Sequence, residues 1–439
     1  MRGWPLLVLI AACYQPSAPL GAPCDELSPC PNGQTCTGGF CSAADAGNAQ
    51  DTSCGIPTHC EGDDLVTCEG RLTCGAGCDD GKGQCRGLVP SNGLSPTLLV
   101  GVTGNVVGNK LDFDSSTGRI KQQNMLIRPE GPGVLNGIGF TVIDGMGVFT
   151  AVSFDLQGGG TFTITGGNAL VLYAATTINF AGTFDVGGNG GSGGPGGNAG
   201  GTNNTNLPCR GVFGVAGATG FGAGGGGGGG ATAGGNGGPS NGPTPGIGGS
   251  MCNTPSTIPL RGGHGGGAGG VNSSGVAVGG RGGGGGGAIA IVAMESIAMT
   301  GTIGAPGAGG FSGATGDGGG GGGGGGAILL ESPRIRVDGI LTANGGGGAG
   351  PSNSFGGRGS LTTSNPAVGG VFNGASGGRG GAGMSLPTNG ENTTDNLTFN
   401  RGGGGGGAVG RIEIRGIEID VSTMTLTSPA AALTTATVN

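Results

Sequence analysis

The chain has 439 residues, 119 of them Gly and 24 Pro, with 10 % charged residues and a net charge of −7. Glycine at this level without a period of three excludes collagen, and no Lys/Arg-rich run is present to hold nucleic acid or an anionic membrane surface. One Trp and two Tyr are too few for the aromatic girdles of a membrane barrel, and no apolar run has the length of a spanning helix.

The chain opens MRGWPLLVLIAAC: one basic residue, a short apolar run, then small residues. That pattern reads as an export signal over residues 1–12. Ile10-Ala11-Ala12-Cys13 resembles the bacterial lipobox, which implies a chain cut before Cys13, acylated there, and tethered through residues 13–23. One acyl chain binds a membrane only marginally, so the three that the resemblance implies would hold firmly. Tyr14, where an Asp would favour inner-membrane retention in the lipoproteins it resembles, points to the outer membrane or cell surface.

The chain has thirteen Cys, and taking Cys13 as the lipid site leaves an even remainder for pairing. Cys24, Cys30, Cys36 and Cys41 form one group. Cys54, Cys60, Cys68, Cys74, Cys78 and Cys85 form a second, beyond the small polar linker SAADAGNAQDTS. Neither group has apolar residues enough for a core, so residues 24–87 are expected to be two disulfide modules whose connectivity spacing does not fix. Zinc is the competing reading. Only Cys74 and Cys78 have ligand-like spacing, and no second such pair exists.

Beyond residue 87 a unit recurs. The Ala288 copy places Ile289 and Ile291, then Ile297 and Met299, then Ile303 at period two; the Ala169 copy puts Leu170, Leu172, Ile178, Phe180 and Phe184 at the same offsets. The Ala327 copy (Ile328, Leu330, Ile335, Val337, Leu341) is one residue shorter in its first turn, and a divergent copy starts at Arg411. Each copy is expected to give three short strands with one buried face each. Stacked copies are expected to make residues 88–439 an all-β, right-handed parallel β-helix, a solenoid with long Gly-rich loops. The glycine runs directly before Ala288, Ala327 and Ala408 are read as excursions from one corner. They either pack as three-residue-per-turn segments through backbone contacts or remain floppy and avoid the ordering cost. Cys209 and Cys252 flank one long excursion and are expected to staple it.

The lipobox, the CEGDDLVTCEG and CGAGC stretches, and the GGGGGGAI and ILTANGGGG units together resemble the Gly-rich, Cys-rich surface lipoproteins of myxobacterial type. The strand units also resemble pectin-lyase-like and haemagglutinin-like β-helices. Family resemblance adds little about activity.

A polysaccharide-cleaving site on such a fold needs clustered carboxylates with Arg or Lys. The candidates Glu295, Asp317, Glu331, Asp338, Glu413, Glu418 and Asp420 do not fall in register across the three clear copies. Glu413, Glu418 and Asp420 alternate with Arg411 and Arg415 as a solvated face would. No catalytic residue, metal ligand or cofactor is assigned. The expectation is a non-catalytic, lipid-anchored surface protein with a structural or adhesive role, its partners the membrane and extracellular polysaccharide or other surface proteins, with no nucleic acid. The alternatives are a glycan-binding module that uses the TNNTN and NSSG loops, and a polysaccharide lyase or hydrolase.

Overall fold

The computed structural model describes residues 34–37, 40–43, 58–67, 70–201, 209–214, 221–240, 244–252, 256–271, 279–314, 316–372, 375–392 and 401–439. It divides into two compact units, Met1–Cys85 and Arg86–Asn439.

In the first unit, His59–Glu61, Asp64–Thr67 and Gly70–Thr73 form an antiparallel sheet, and Cys78–Asp79 pairs antiparallel with Gln84–Cys85. Disulfides join Cys60 to Cys78 and Cys74 to Cys85. Cys74 and Cys78, the close-spaced pair that suggested zinc, are thus each bonded to a different cysteine. Exposed Arg71 pairs with Glu61 and Asp64 across the sheet.

The second unit is all-β, and its repeated sequence units supply one strand to each of three sheets. Ala169–Ala174, Ala288–Ala293, Ala327–Glu331 and Arg411–Gly416 are parallel neighbours in an eight-stranded sheet. Thr177–Phe180, Ser296–Met299, Arg334–Val337 and Glu418–Val421 are parallel neighbours in a six-stranded one. Thr183–Asp185, Thr302–Gly304, Ile340–Thr342 and Leu426–Ser428 do the same in a second eight-stranded sheet.

The expected right-handed parallel β-helix is corrected by these sheets. They are large sheets of eight, eight and six strands, and both eight-stranded ones are mixed rather than a uniform closed solenoid. Residues 111–143, which carry no copy of the repeat, add antiparallel strands. Leu111–Asp114, Ile120–Gln122 and Met125–Arg128 pair antiparallel at one edge; Gly133–Leu135, Ile138–Ile143 and Met146–Ala151 do so at another. The reason is local. Gln123, Asn136 and Asp144 sit at positive φ in short turns between paired strands, which is hairpin chemistry rather than crossover chemistry.

The apolar alternation sets the register. Ile178, Ile297, Ile335 and Ile419 are successive partners, as are Leu172, Ile291, Leu330 and Ile414. These columns belong to one core shared by all three sheets. Ile335 is 2 % exposed, so Ile335→Ala should cost about 2–3 kcal/mol from lost burial and the cavity left behind. Chemical denaturation measures it, and a cost below about 0.5 kcal/mol would contradict this placement.

Around Ala288–Ala293 the first eight-stranded sheet is buried on both faces. Ile289 and Ile291 enter the shared core, while Ala288, Ala290 and Val292 enter a second core with Val171, Tyr173 and Leu329. Leu88, Leu94, Leu260 and Ala436 cover that second face. The small residues Ala288 and Ala290 leave room for the segments that pack on them.

The glycine runs, which lie between the third strand of one unit and the first of the next, take the packed alternative and not the floppy one. Residues 224–230, 282–287, 318–326 and 402–407 are buried throughout. In residues 318–326 the N–H groups of Gly318, Gly321 and Gly324 donate to Gly270, Gly267 and His264. Those of Gly319, Gly322 and Gly325 donate to Gly402, Gly405 and Ala408; those of Gly320, Gly323 and Gly326 donate to Phe311, Ala308 and Ala305. The donors rotate through three neighbours with period three, as a polyproline-II-type helix without internal hydrogen bonds requires. Carbonyls of the same run accept from Gly225 and Gly228, from Gly280, Gly283 and Gly286, and from Gly346 and Ala349. The run therefore sits inside a lattice of parallel and antiparallel neighbours that satisfies its buried peptide groups. None of its glycines has positive φ. They are glycine for space, since a Cβ on any of the nine would lie under 3.0 Å from neighbouring backbone.

Candidate functional site

The densest buried chemistry lies on the second face of the two-sided sheet. Parallel pairing sets Glu331 beside Arg415 and Leu329 beside Glu413. Arg415 Nε lies 3.1 Å from Glu331 Oε1, and Arg415 Nη1 lies 3.5 Å from Glu413 Oε1. The side chains are 0 %, 5 % and 16 % exposed for Glu331, Glu413 and Arg415. The expectation that Glu413 and Arg415 belong to a solvated face is therefore corrected, although register still sets no carboxylate directly opposite another here. Covering segments exclude water here.

Other donors complete the cluster. Glu331 Oε2 accepts from the Ser91 N–H at 3.0 Å and its hydroxyl at 2.6 Å. Glu413 Oε2 accepts from the Thr257 N–H and hydroxyl, both at 2.9 Å, and from the Ser256 hydroxyl at 3.1 Å; Oε1 accepts from the Thr434 hydroxyl at 3.0 Å. Burial pushes the Glu413 carboxyl up, but the Thr257 N–H and the hydroxyls of Thr257, Thr434 and Ser256 outweigh it and hold the group below its ordinary range. Burial, and then the charge of Glu331, push the Tyr173 phenol up, and its hydroxyl lies 3.3 Å from Met294 Sδ. Both carboxylates are engaged by the segments that cover the sheet. The arrangement acts as a clasp: one ion cluster fastens residues 91, 256–257 and 434 to two adjacent strands.

The remaining acidic candidates are dispersed. Glu295, Glu418 and Asp420 are exposed. Arg336 Nε pairs with Asp338 at 2.7 Å on an exposed face, where register also sets Arg334 against Glu418 and Arg336 against Asp420. Glu418 and Asp420 are thus on a solvated, charged face as expected, with Arg334 and Arg336 rather than Arg411 and Arg415 as their neighbours. Asp317 is fully buried and accepts from the Ala314 N–H at 3.0 Å.

Cys209 and Cys252 are joined. The Cys209 carbonyl accepts from Gly229 and the Cys252 N–H donates to Gly230, so the bridge clips together two segments that flank the 224–230 run. Cys36 and Cys41 are partners in the antiparallel pair Gln34–Thr37 and Phe40–Ala43. Cys13, Cys24, Cys30, Cys54 and Cys68 lie outside the described residues, as do TNNTN (202–206) and NSSG (272–275).

Sequence reasoning missed Ser91, Ser256, Thr257 and Thr434 as partners of the two carboxylates. One signal was available. Aligning AILLE with RIEIR puts Glu331 opposite Arg415, a charge pair at the last position of an otherwise apolar strand. Comparison with protein families, curated proteins and solved structures finds no match to this chain.

Proposed function

We propose that the chain is a non-catalytic structural or adhesive lipoprotein of the cell surface, anchored through Cys13. The observation that carries this reading is the backbone lattice. Segments nearly devoid of side chains are fixed in place by their own peptide groups. The buried ion cluster supports it, since its carboxylates hold covering segments down. A side-chain-poor body suits packing against neighbouring surface material, with extracellular polysaccharide or other surface proteins as partners.

Two measurements test it. Cys13→Ser should move the chain from the membrane to the soluble fraction after high-salt washing, and a variant that stays membrane-bound would remove the anchor from the reading. Cells lacking the chain should lose adhesion or surface cohesion, and purified protein should release no reducing or unsaturated sugar ends from uronic-acid or neutral glycans. Turnover abolished by Glu331→Gln would replace this function with an enzymatic one.

A further inference from the structure

His264, one of two histidines in the chain, stands beside the Cys209–Cys252 bridge. A ring nitrogen of His264 and the two Sγ atoms all lie within 4.8 Å of one another. They come from separate segments, each locked in the lattice. The His264 carbonyl accepts from Gly324, the Cys209 carbonyl from Gly229, and the Cys252 N–H donates to Gly230. The Asn198 side-chain amide is 3.2 Å from Nδ1 and orients the ring. A cavity of about 10 Å³ lies beside Cys252 and His264, lined also by Arg261 and Arg411, which is about the volume one water needs.

Two thiolates and one imidazole with room for a water are the donor set and coordination number of a tetrahedral zinc site with one open position. A preformed site needs its ligands held before the ion arrives, and the lattice does that through the main chain. Charge is balanced too. Two thiolates neutralise a divalent cation, so the ion adds no net charge beside the arginines Arg210 and Arg261 that act on His264.

We propose that the dithiol form of this corner binds a thiophilic divalent cation, Zn²⁺, through Cys209, Cys252 and His264, and that the disulfide is its oxidised, metal-free form. Reduction by a phosphine takes up one water: the phosphine becomes its oxide, the S–S bond breaks, and two thiols form. Binding one Zn²⁺ then releases two protons as two S–Zn bonds form.

The test uses the full chain carrying His59→Gln, so that His264 is the sole imidazole and zinc taken by the other cysteines is silent. Imidazole ¹⁵N spectra are recorded on oxidised and phosphine-reduced protein, with and without stoichiometric Zn²⁺. The expected result is that one ring nitrogen moves to the metal-coordinated position in the reduced protein alone, and that Cys252→Ser abolishes the shift. Ring nitrogens unmoved by excess Zn²⁺, or a shift that survives Cys252→Ser, would overturn the proposal. A body that unfolds on reduction would overturn it as well, because the ligands would no longer be held together.

Discussion

Replacing Arg415 with Met should destabilise the body by about 3–5 kcal/mol, the cost of removing one partner from a buried ion cluster. Met keeps much of the stem volume and removes the guanidinium that lies 3.1 Å from Glu331 and 3.5 Å from Glu413. Two carboxylates on adjacent strands then stay in a water-excluded place without that counter-charge. Their hydroxyl and N–H donors remain, which keeps the loss from being larger. The exposed pair provides the contrast: Arg336→Met, which breaks the 2.7 Å contact with Asp338, should cost under about 1 kcal/mol.

Acid gives a second readout of the same change. Glu413 is held below its ordinary value of 4.5, so its contribution is fully present above that value. It is lost as pH falls through the lower folded-state value. In Arg415→Met, protonation of Glu413 removes charge that the substitution left less well compensated. The stability gap between the two proteins should therefore be widest near about pH 7 and shrink toward about pH 3. Guanidinium unfolding at both pH values measures the gap. A gap that is constant with pH, or below about 1 kcal/mol at neutral pH, would show that Arg415 is not the counter-ion described here.

The strands of the repeat were legible because period-two alternation depends on one variable, which side chains avoid water. Ile297, Met299, Ile335 and Val337 could be assigned to a common core from their offsets, and they occupy it. The antiparallel edges were not legible, since residues 111–143 repeat nothing and their turns are encoded in single positions such as Asn136 and Asp144. The second core escaped for a related reason. Ala288 and Ala290 look indifferent to water, and only the segment that lands on them, carrying Leu88 and Leu94, decides whether they meet it. The clasp depended on the same covering segments. Glu413 and Arg415 read as solvated until Ser256, Thr257 and Thr434 are brought above them from distant parts of the chain. Arg128 went unnoticed altogether. It is fully buried, and its guanidinium donates to the carbonyls of Ile138, Gly118, Pro129, Gly131 and Gly133, partners that leave no side-chain signature. Glycine was the hardest case, because a run of it encodes order and disorder with the same letters. What decides is whether neighbouring runs supply a partner for every peptide group.

That dependence makes Gly321→Ala the sharpest test of the lattice, with an expected loss of more than about 3 kcal/mol. A Cβ there would fall under 3.0 Å from Gly226 O, Gly226 C and Gly227 N. These are backbone atoms that no rotamer change can move. Separating the two segments would also strain the bonds Gly321 makes on its other sides, its N–H to Gly267 at 2.9 Å and its carbonyl to Gly283 at 2.8 Å. The φ angle there is not positive, so the cost comes from crowding and broken hydrogen bonds rather than backbone conformation. Gly167→Ala is the matched control: a Cβ at Gly167 meets nothing within 4 Å and its φ is not positive. That substitution should be neutral or gain about 0.4–1 kcal/mol by narrowing the unfolded ensemble. Amide hydrogen exchange localises the effect. Gly321→Ala should speed exchange across residues 224–230 and 318–326 together, because each run is held by the other. If both substitutions are tolerated alike, or exchange in those runs is already fast in the parent chain, the glycine segments are not the mutually bonded lattice described here.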